Sequence, residues 1–182
     1  SWAGASSRPR FFQLRGIGEL EQYQGAPNPS VGFLLDEIDF SGIGMVGTLF
    51  DVEQVEVLRG PQGTRYGANA LGGLIKIKTR DPDPEPELSL ETTVGGDGLI
   101  SGGVVAGGAL PADSGSGDAW RLAVQRTVSD GFRRNAYLGR SDTNERDELT
   151  ARGRVHLEPA PAWTLDLTLM HVNLDNGYDA FA

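Results

Sequence analysis

The stretch that decides the fold runs from Trp163 to Leu169 and reads WTLDLTL. Apolar residues take every second position, and threonine or aspartate fills the positions between them. Successive side chains of a β-strand point to opposite faces, so this pattern predicts a strand with one apolar and one polar face. The same alternation recurs in four segments upstream, which predicts that the second half of the chain is a β-sheet.

The alternating segments follow one another closely, which predicts an antiparallel meander. The predicted strands cover residues 88–94, 99–110, 119–129, 147–158 and 163–173. Strands of about ten residues with one apolar and one polar face are typical of outer-membrane barrels. A soluble β-sandwich also alternates, but its strands average about 5–6 residues, so the lengths favour a barrel.

The connections between these segments differ in length, which also favours a barrel. Residues 130–147 form a long charged connection and residues 158–162 a tight one. Barrels combine long extracellular loops with short periplasmic turns, so the first is predicted to be extracellular and the second periplasmic. Arg126 falls on the apolar, lipid-facing parity, and we expect it to lie near a membrane interface.

Composition excludes several classes of function. The 182 residues include 16 Lys+Arg and 25 Asp+Glu, a net charge of -9 that disfavours nucleic acid as a partner. There is no cysteine, and the only histidines are His156 and His171, so we expect no metal site and no cofactor. No motif of nucleophilic catalysis is present, and we predict no catalytic residue and no enzyme activity.

The first half predicts a smaller, mixed unit. Strands are expected at 31–36, 55–59 and 74–79, and Met45–Gln54 has the composition of about two helical turns. Residues 81–87 then alternate acid and proline, which excludes helix and interior strand, so they are interpreted as a linker. The predicted organisation is therefore a domain in 1–80, a linker in 81–87 and barrel strands in 88–182.

Two further motifs have ordinary interpretations. Residues 42–47 read GIGMVG and satisfy G-x-G-x-x-G, but no Rossmann repeat follows, so a chance match among 26 glycines is favoured. Acidic residues at 36, 37 and 39, and again at 81, 83 and 85, could hold calcium. Neither group has an EF-hand pattern, so both are interpreted as solvated turn residues.

One segment, residues 51–77, is specific enough to suggest a family. It contains Val55-Glu56-Val57-Leu58-Arg59-Gly60-Pro61-Gln62-Gly63-Thr64 and then Tyr66-Gly67, with Gly72-Gly73 further on. This stretch closely resembles the plug-domain signature of TonB-dependent outer-membrane receptors. Arg15-Gly16 and the later Gly32–Asp36 resemble an upstream element of the same family, in which Glu37 replaces the usual glycine.

The resemblance implies a fold and a set of site residues. The fold is an α+β plug followed by an antiparallel transmembrane β-barrel, mostly β, of which about five strands out of an implied 22 or so are counted here. Plug arginines of this family bond acidic residues of the plug or barrel wall, and Arg15 and Arg59 are the candidates, with Glu53 and Glu56 as possible partners. The signature and proposed plug lock comprise Arg15, Gly16, Asp36, Glu53, Glu56, Arg59, Gly60, Pro61, Gly63, Tyr66, Gly67, Gly72 and Gly73.

The resemblance also implies a function. It indicates a receptor in the outer membrane of a Gram-negative bacterium, surrounded by lipid, that takes up a scarce nutrient. A ferric siderophore is the first expectation, and cobalamin or an oligosaccharide remain open. TonB is the implied partner, through a segment expected upstream, and the chain is expected to be a fragment. The alternative is a soluble, secreted β-rich binding module, for example one that binds carbohydrate.

Overall fold

The chain forms two compact units, Ser1–Arg80 and Asp81–Ala182. The computed structural model describes residues 2–3, 11–19, 29–43, 48–111, 117–133, 135–137, 139–141, 144–160 and 162–177. Within these residues, no helix is both long and apolar enough to cross a membrane. The predicted sheet regions lie inside the described ranges, whereas the last four residues of the G-x-G-x-x-G match, residues 44–47, lie outside them.

The first unit contains two small sheets. Strands β1 (Trp2–Ala3) and β2 (Phe11–Phe12) pair antiparallel. A second sheet has the order β4-β3-β6-β5, and β3 and β6 run parallel to each other at its centre. Its strands are β3 (Val31–Leu35), β4 (Ile38–Asp39), β5 (Val52–Arg59) and β6 (Gly73–Thr79), and helix α1 (Gly63–Tyr66) lies between β5 and β6 in the chain.

The core of this unit lies against its central strands. All five residues of β3 are buried, as expected for a continuous apolar strand inside a sheet. Leu34 packs with Ala70 and Leu74, and the half-buried Leu58 and Tyr66 close the cluster. The signature segment thus supplies four of the five residues of this cluster.

The predicted strands of the first half are confirmed, but the predicted helix is wrong where the structure describes it. Residues 48–51 form a bend and turn, and Val52–Gln54 are the start of β5. Val52 pairs with Thr79 across a register irregularity, so the backbone groups that a helix would use are taken up by the sheet. Residues 45–47 of the predicted helix lie outside the described part of the chain.

The second unit is a five-stranded antiparallel meander, as predicted. Its sheet has the order β11-β10-β9-β8-β7, and every neighbouring pair is antiparallel. The strands are β7 (Glu87–Val94), β8 (Ile100–Ala109), β9 (Ala119–Ser129), β10 (Arg146–Ala160) and β11 (Trp163–Asn176). Strand β10 runs into the predicted tight turn at 158–162, with a register irregularity between Leu157 and Ala160.

The two faces of this sheet have the opposite burial to those of a soluble protein. Polar side chains on one face are buried, including Ser101, Arg121, Glu148, Thr150 and Arg152. On the other face large apolar side chains are exposed, among them Leu90 at 77%, Val94 at 76% and Leu169 at 79%. An apolar face without a protein partner is the arrangement that a lipid-facing barrel wall requires.

Arg126 lies on this apolar face, as its parity predicted, and it is not isolated there. Its Nε donates to Asp147 Oδ1 at 3.0 Å and its Nη2 donates to Asp147 Oδ2 at 2.7 Å. In this bidentate pair the two opposite charges compensate each other on a face that is otherwise apolar. Asp147 is the second residue of β10, so the pair lies at the end of the strands next to the long connection of residues 130–145.

Candidate functional site

The plug signature forms a loop that is closed at its base by backbone hydrogen bonds. Gly60 N–H donates to Gly72 O at 3.2 Å, and Gln62 N–H donates to Ala70 O at 2.8 Å. Gly60 has a φ of +93°, a conformation that L side chains rarely adopt, and Pro61 follows it. The Gly-Pro sequence therefore ends β5 and directs the chain away from the sheet.

Helix α1 fills the middle of this loop. Gly63 is its first residue, and Gly67 ends it with a φ of +83° and an N–H that donates to Gly63 O at 3.0 Å. Tyr66 packs on the apolar core, and the Arg65 guanidinium lies 5.2 Å from the centre of its ring. The glycines thus allow the chain to form one helical turn and then return to β6.

Gly72 joins the signature to the upstream element. Its N–H donates to Ser30 O at 2.7 Å, and a Cβ added to Gly72 would lie 2.6 Å from Ile17 Cγ2. The neighbouring Gly73, at φ +155°, is similarly restricted, since its Cβ would lie 2.7 Å from Leu58 O. A larger residue at Gly72 would therefore displace the Ile17 side chain, and one at Gly73 would displace backbone.

Arg15 and Gly16 are the two central residues of a tight turn. Leu14 N–H donates to Ile17 O at 2.9 Å and Ile17 N–H donates to Leu14 O at 3.0 Å. Arg15 has a φ of +54° and Gly16 a φ of +80°, the signs that a type I′ turn requires. The turn presents the Arg15 side chain at the surface of the unit.

Asp36 forms a clamp between the ends of the two parallel strands. Its Oδ1 accepts a hydrogen bond from Thr79 N–H at 2.8 Å, and its Oδ2 accepts one from the Thr79 hydroxyl at 2.6 Å. Asp36 N–H donates to Ile77 O at 3.0 Å, and Thr79 is fully buried. This clamp gives the signature aspartate a structural role, and its partner Thr79 was not predicted, because 43 residues separate the two.

Asp39 connects the turn after β3 to the signature loop. Ser41 N–H donates to its Oδ1 at 2.8 Å, and Asn69 Nδ2 donates to its Oδ2 at 2.9 Å. Burial alone would raise the pKa of Asp39. The hydrogen bonds from Ser41 and Asn69 together lower it by more, so the pKa lies below its usual value. Asn69, in the signature, was also missed by sequence reasoning.

The remaining acidic residues of the unit have local partners. Glu37 forms an ion pair with Lys76, and its hydrogen bond to that ammonium raises the pKa of Lys76. Glu53 lies 2.8 Å from Lys78, and Glu56 accepts a hydrogen bond from Gln54 at 3.0 Å. The structure thus gives Glu53 and Glu56 neighbours of their own, and their pairing with the signature arginines stays a prediction.

Among the residues that the structure describes in their own unit, Arg15 and Arg59 form no buried pair. Both residues are exposed there: Arg59 is the last residue of β5 and Arg15 lies in the type I′ turn. The predicted plug lock to barrel carboxylates stays a prediction for both. Asp36, Glu37 and Asp39 are directed at three different partners, and the described residues contain no cluster of His, Cys, Asp or Glu able to hold a metal ion.

Comparison with known proteins gives agreement in both units. The family model described as the TonB-dependent Receptor Plug Domain matches residues 2–74. The pesticin receptor of Yersinia pestis is 39% identical over 71 residues, which cover 39% of this chain and 10% of that protein. The vitamin B12 transporter BtuB of Photobacterium profundum is 29% identical over 148 residues, 80% of this chain and 23% of that protein.

A solved structure extends the similarity beyond the plug. The ferric yersiniabactin uptake receptor FyuA from Yersinia pestis superposes with a TM-score of 0.71 at 29% identity, covering 85% of this chain and 24% of that one. The chain thus spans a quarter or less of the length of these relatives. Three observations point to the same architecture: the signature loop, the exposed apolar face of the second unit and these similarities. Residues 2–74 thus resemble the plug domain of TonB-dependent receptors, and over 85% of its length the chain is similar in fold to a receptor of that kind from the Gram-negative outer membrane, with a plug followed by strands of the β-barrel.

Proposed function

We propose that the receptor containing this chain takes up a scarce nutrient across the outer membrane and that TonB supplies the energy. The observation that carries this proposal is the signature loop of residues 51–77, closed on itself by Gly60 and Gly72. It is supported by the match of the plug family model over residues 2–74. We assign residues 1–80 to the plug, 81–87 to the linker and 88–182 to the barrel.

A ferric siderophore is the ligand class that we propose. The support is that FyuA, a receptor for ferric yersiniabactin, superposes on both units of this chain at 29% identity. Cobalamin is the second candidate, since BtuB matches over 80% of the chain. The exposed leucines and valines of the second unit argue against the soluble carbohydrate-binding module that alternation alone left open.

The function does not require covalent chemistry by the chain. We propose that ligand binds outside the membrane and that TonB then remodels the plug, while Arg15 and Arg59 hold the plug against carboxylates of the barrel. The exposure of both arginines on the plug unit is compatible with partners supplied by the barrel. Bidentate guanidinium–carboxylate pairs would give such a lock both strength and orientation.

Uptake measurements with the complete receptor test the proposal. The receptor is expressed in a strain without its own siderophore and cobalamin receptors, with and without TonB, and supplied with radiolabelled ferric siderophores or cobalamin. We expect TonB-dependent uptake of one ferric siderophore class and no uptake of cobalamin. Uptake of cobalamin alone would reverse the ligand assignment, and uptake that is equal without TonB would refute the energy source.

A further inference from the structure

The acidic, proline-rich segment Asp81–Glu87, here called the strap, is fixed to the barrel strands. Three of its seven residues are proline, at 82, 84 and 86, and each of these has a fixed φ and no N–H. One of the remaining donors, Glu85 N–H, is used within the strap, where it bonds Asp83 Oδ1 at 2.8 Å. The strap is therefore stiff before any contact with the strands is considered.

The middle of the strap is held by the end of β8. Ala109 N–H donates to Pro84 O at 3.0 Å, which continues the hydrogen bonding of β8 beyond its pairing with β7. A Cβ added to Gly108 would lie 3.5 Å from Pro86 Cα, so the strap passes directly over this strand end. A segment that composition describes as a linker is thus packed against the sheet.

One end of the strap is held by a buried arginine two strands away. Arg121, 5% exposed, donates from Nη1 to Glu87 Oε2 at 2.7 Å and from Nη2 to Glu87 Oε1 at 3.4 Å. Glu87 and Arg121 pair with Gly107 from opposite sides, so the arginine crosses β8, a span of about 9–10 Å, over a residue without a side chain. Gly107 makes that crossing possible.

The other end of the strap is held by a second arginine, which lies beside the first on the neighbouring strand. Arg154 is the direct cross-strand partner of Arg121, and its Nη2 lies 2.9 Å from Asp81 Oδ1. The Arg154 side chain is 12% exposed. Like charges placed directly opposite each other in a sheet repel, and burial increases that repulsion. The strap supplies one carboxylate to each of the two guanidinium groups, from its two ends.

We propose that the strap is a fixed anchor that holds the chain leaving the plug against the first barrel strands while the plug rearranges. Release of the strap would separate both arginines from their carboxylates at once, so it is costlier than release of either contact alone. Remodelling of the plug would then stop at Arg80, and the barrel would keep its first strand in register. This inference rests on the proposed function only for the statement that the plug is remodelled.

The anchor is tested with the complete receptor in outer-membrane vesicles without ligand or TonB. A spin label attached through Glu85→Cys, at an exposed strap position without a described side-chain contact, reports the mobility of the strap. We expect an immobilised spectrum in the parent, and a mobile component that increases at least about tenfold in Arg154→Gln. Glu91→Gln is the matched control, because it removes an exposed charge from the same polar face of β7 without a described contact.

A second variant keeps both buried arginines, in case Arg154→Gln does not fold correctly. Asp81→Asn removes one strap carboxylate from a half-exposed position, and it should mobilise the label less than Arg154→Gln but more than Glu91→Gln. Heat-modifiable migration in gels verifies that each barrel is folded. An immobilised label in both Arg154→Gln and Asp81→Asn would overturn the anchor, and it would leave the proposed function untouched.

A crosslink asks whether the strap stays closed during transport. Asp81→Cys and Arg154→Cys are bridged by a reducible bifunctional thiol reagent, and uptake is measured before and after reduction. We expect uptake in the bridged state to be at least equal to uptake after reduction, because the bridge replaces a contact that the variant has lost and the anchor does not need to open. Uptake that is lost on bridging and restored by reductant would overturn the proposal, since the strap would then have to move in each cycle.

Discussion

The clamp between Asp36 and Thr79 allows a prediction of defined size. Asp36→Gly removes two hydrogen bonds to a carboxylate, from Thr79 N–H at 2.8 Å and from the Thr79 hydroxyl at 2.6 Å. Such bonds contribute about 1.5–3 kcal/mol each, and Thr79 is fully buried, so we expect a loss of about 3 kcal/mol in the free energy of local opening. Asp36→Ala should cost about 1 kcal/mol more, because alanine at φ +48° is strained in a way that glycine is not.

Hydrogen exchange of the β6 peptide in the full chain measures this effect. A loss of about 3 kcal/mol corresponds to a decrease in protection of roughly 100-fold or more. Asp36→Asn is the conservative control, since its amide can accept from Thr79 N–H and donate to Thr79 Oγ1, and it should lose about tenfold or less. Protection that falls by less than about threefold in Asp36→Gly would show that the clamp does not hold the ends of the parallel strands.

Three further predictions concern the plug. Arg59→Ala in the complete receptor should raise permeability to large antibiotics or lower energised uptake, with partial rescue by Arg59→Lys; unchanged uptake and permeability in a correctly inserted receptor would refute the lock. Gly72→Ala should lower plug stability in chemical denaturation, since its Cβ would meet Ile17 Cγ2 at 2.6 Å, and Ile17→Ala should restore part of it; no loss in Gly72→Ala alone would contradict this packing. The pKa of Asp39 is lowered in the fold, so its contribution to stability should be complete above the ordinary value near 3.8 and disappear as pH falls through the lower folded value. Asp39→Asn should abolish this loss of stability in acid. The same loss in that variant would exclude Asp39 as its source.

Sequence periodicity predicted the second unit well because the side chains of a strand change faces at every residue, and the apolar residues of these segments follow that period. The segment Trp163–Leu169 has the same parity over its whole length, and no neighbouring element changes that reading. The predicted helix at Met45–Gln54 failed over its described residues, 48–54, for the opposite reason. Val52 and Gln54 belong to an edge strand whose partner, β6, is more than twenty residues away, so a tertiary contact overrides local preference.

Side-chain pairs were the part that the sequence alone could not provide. The interaction of Arg121 with Glu87 depends on the register of three strands and on Gly107 between them, and no local pattern specifies that register. The same applies to Asp36 and Thr79. The family resemblance indicated that Asp36 and Arg59 matter, whereas only the structure distinguishes the paired aspartate from the exposed arginine.

The inverted burial of the second unit has a consequence for the order in which the chain folds. If that sheet formed in water, residues such as Leu90, Val94 and Leu169 would remain exposed. Hydrophobic burial would therefore contribute little free energy to its formation in water. The plug contains an apolar cluster of its own around Leu34 and Leu74, and its collapse does not need lipid. Formation of the β-meander and partitioning into the bilayer should therefore be coupled in one event, whereas the plug can collapse beforehand.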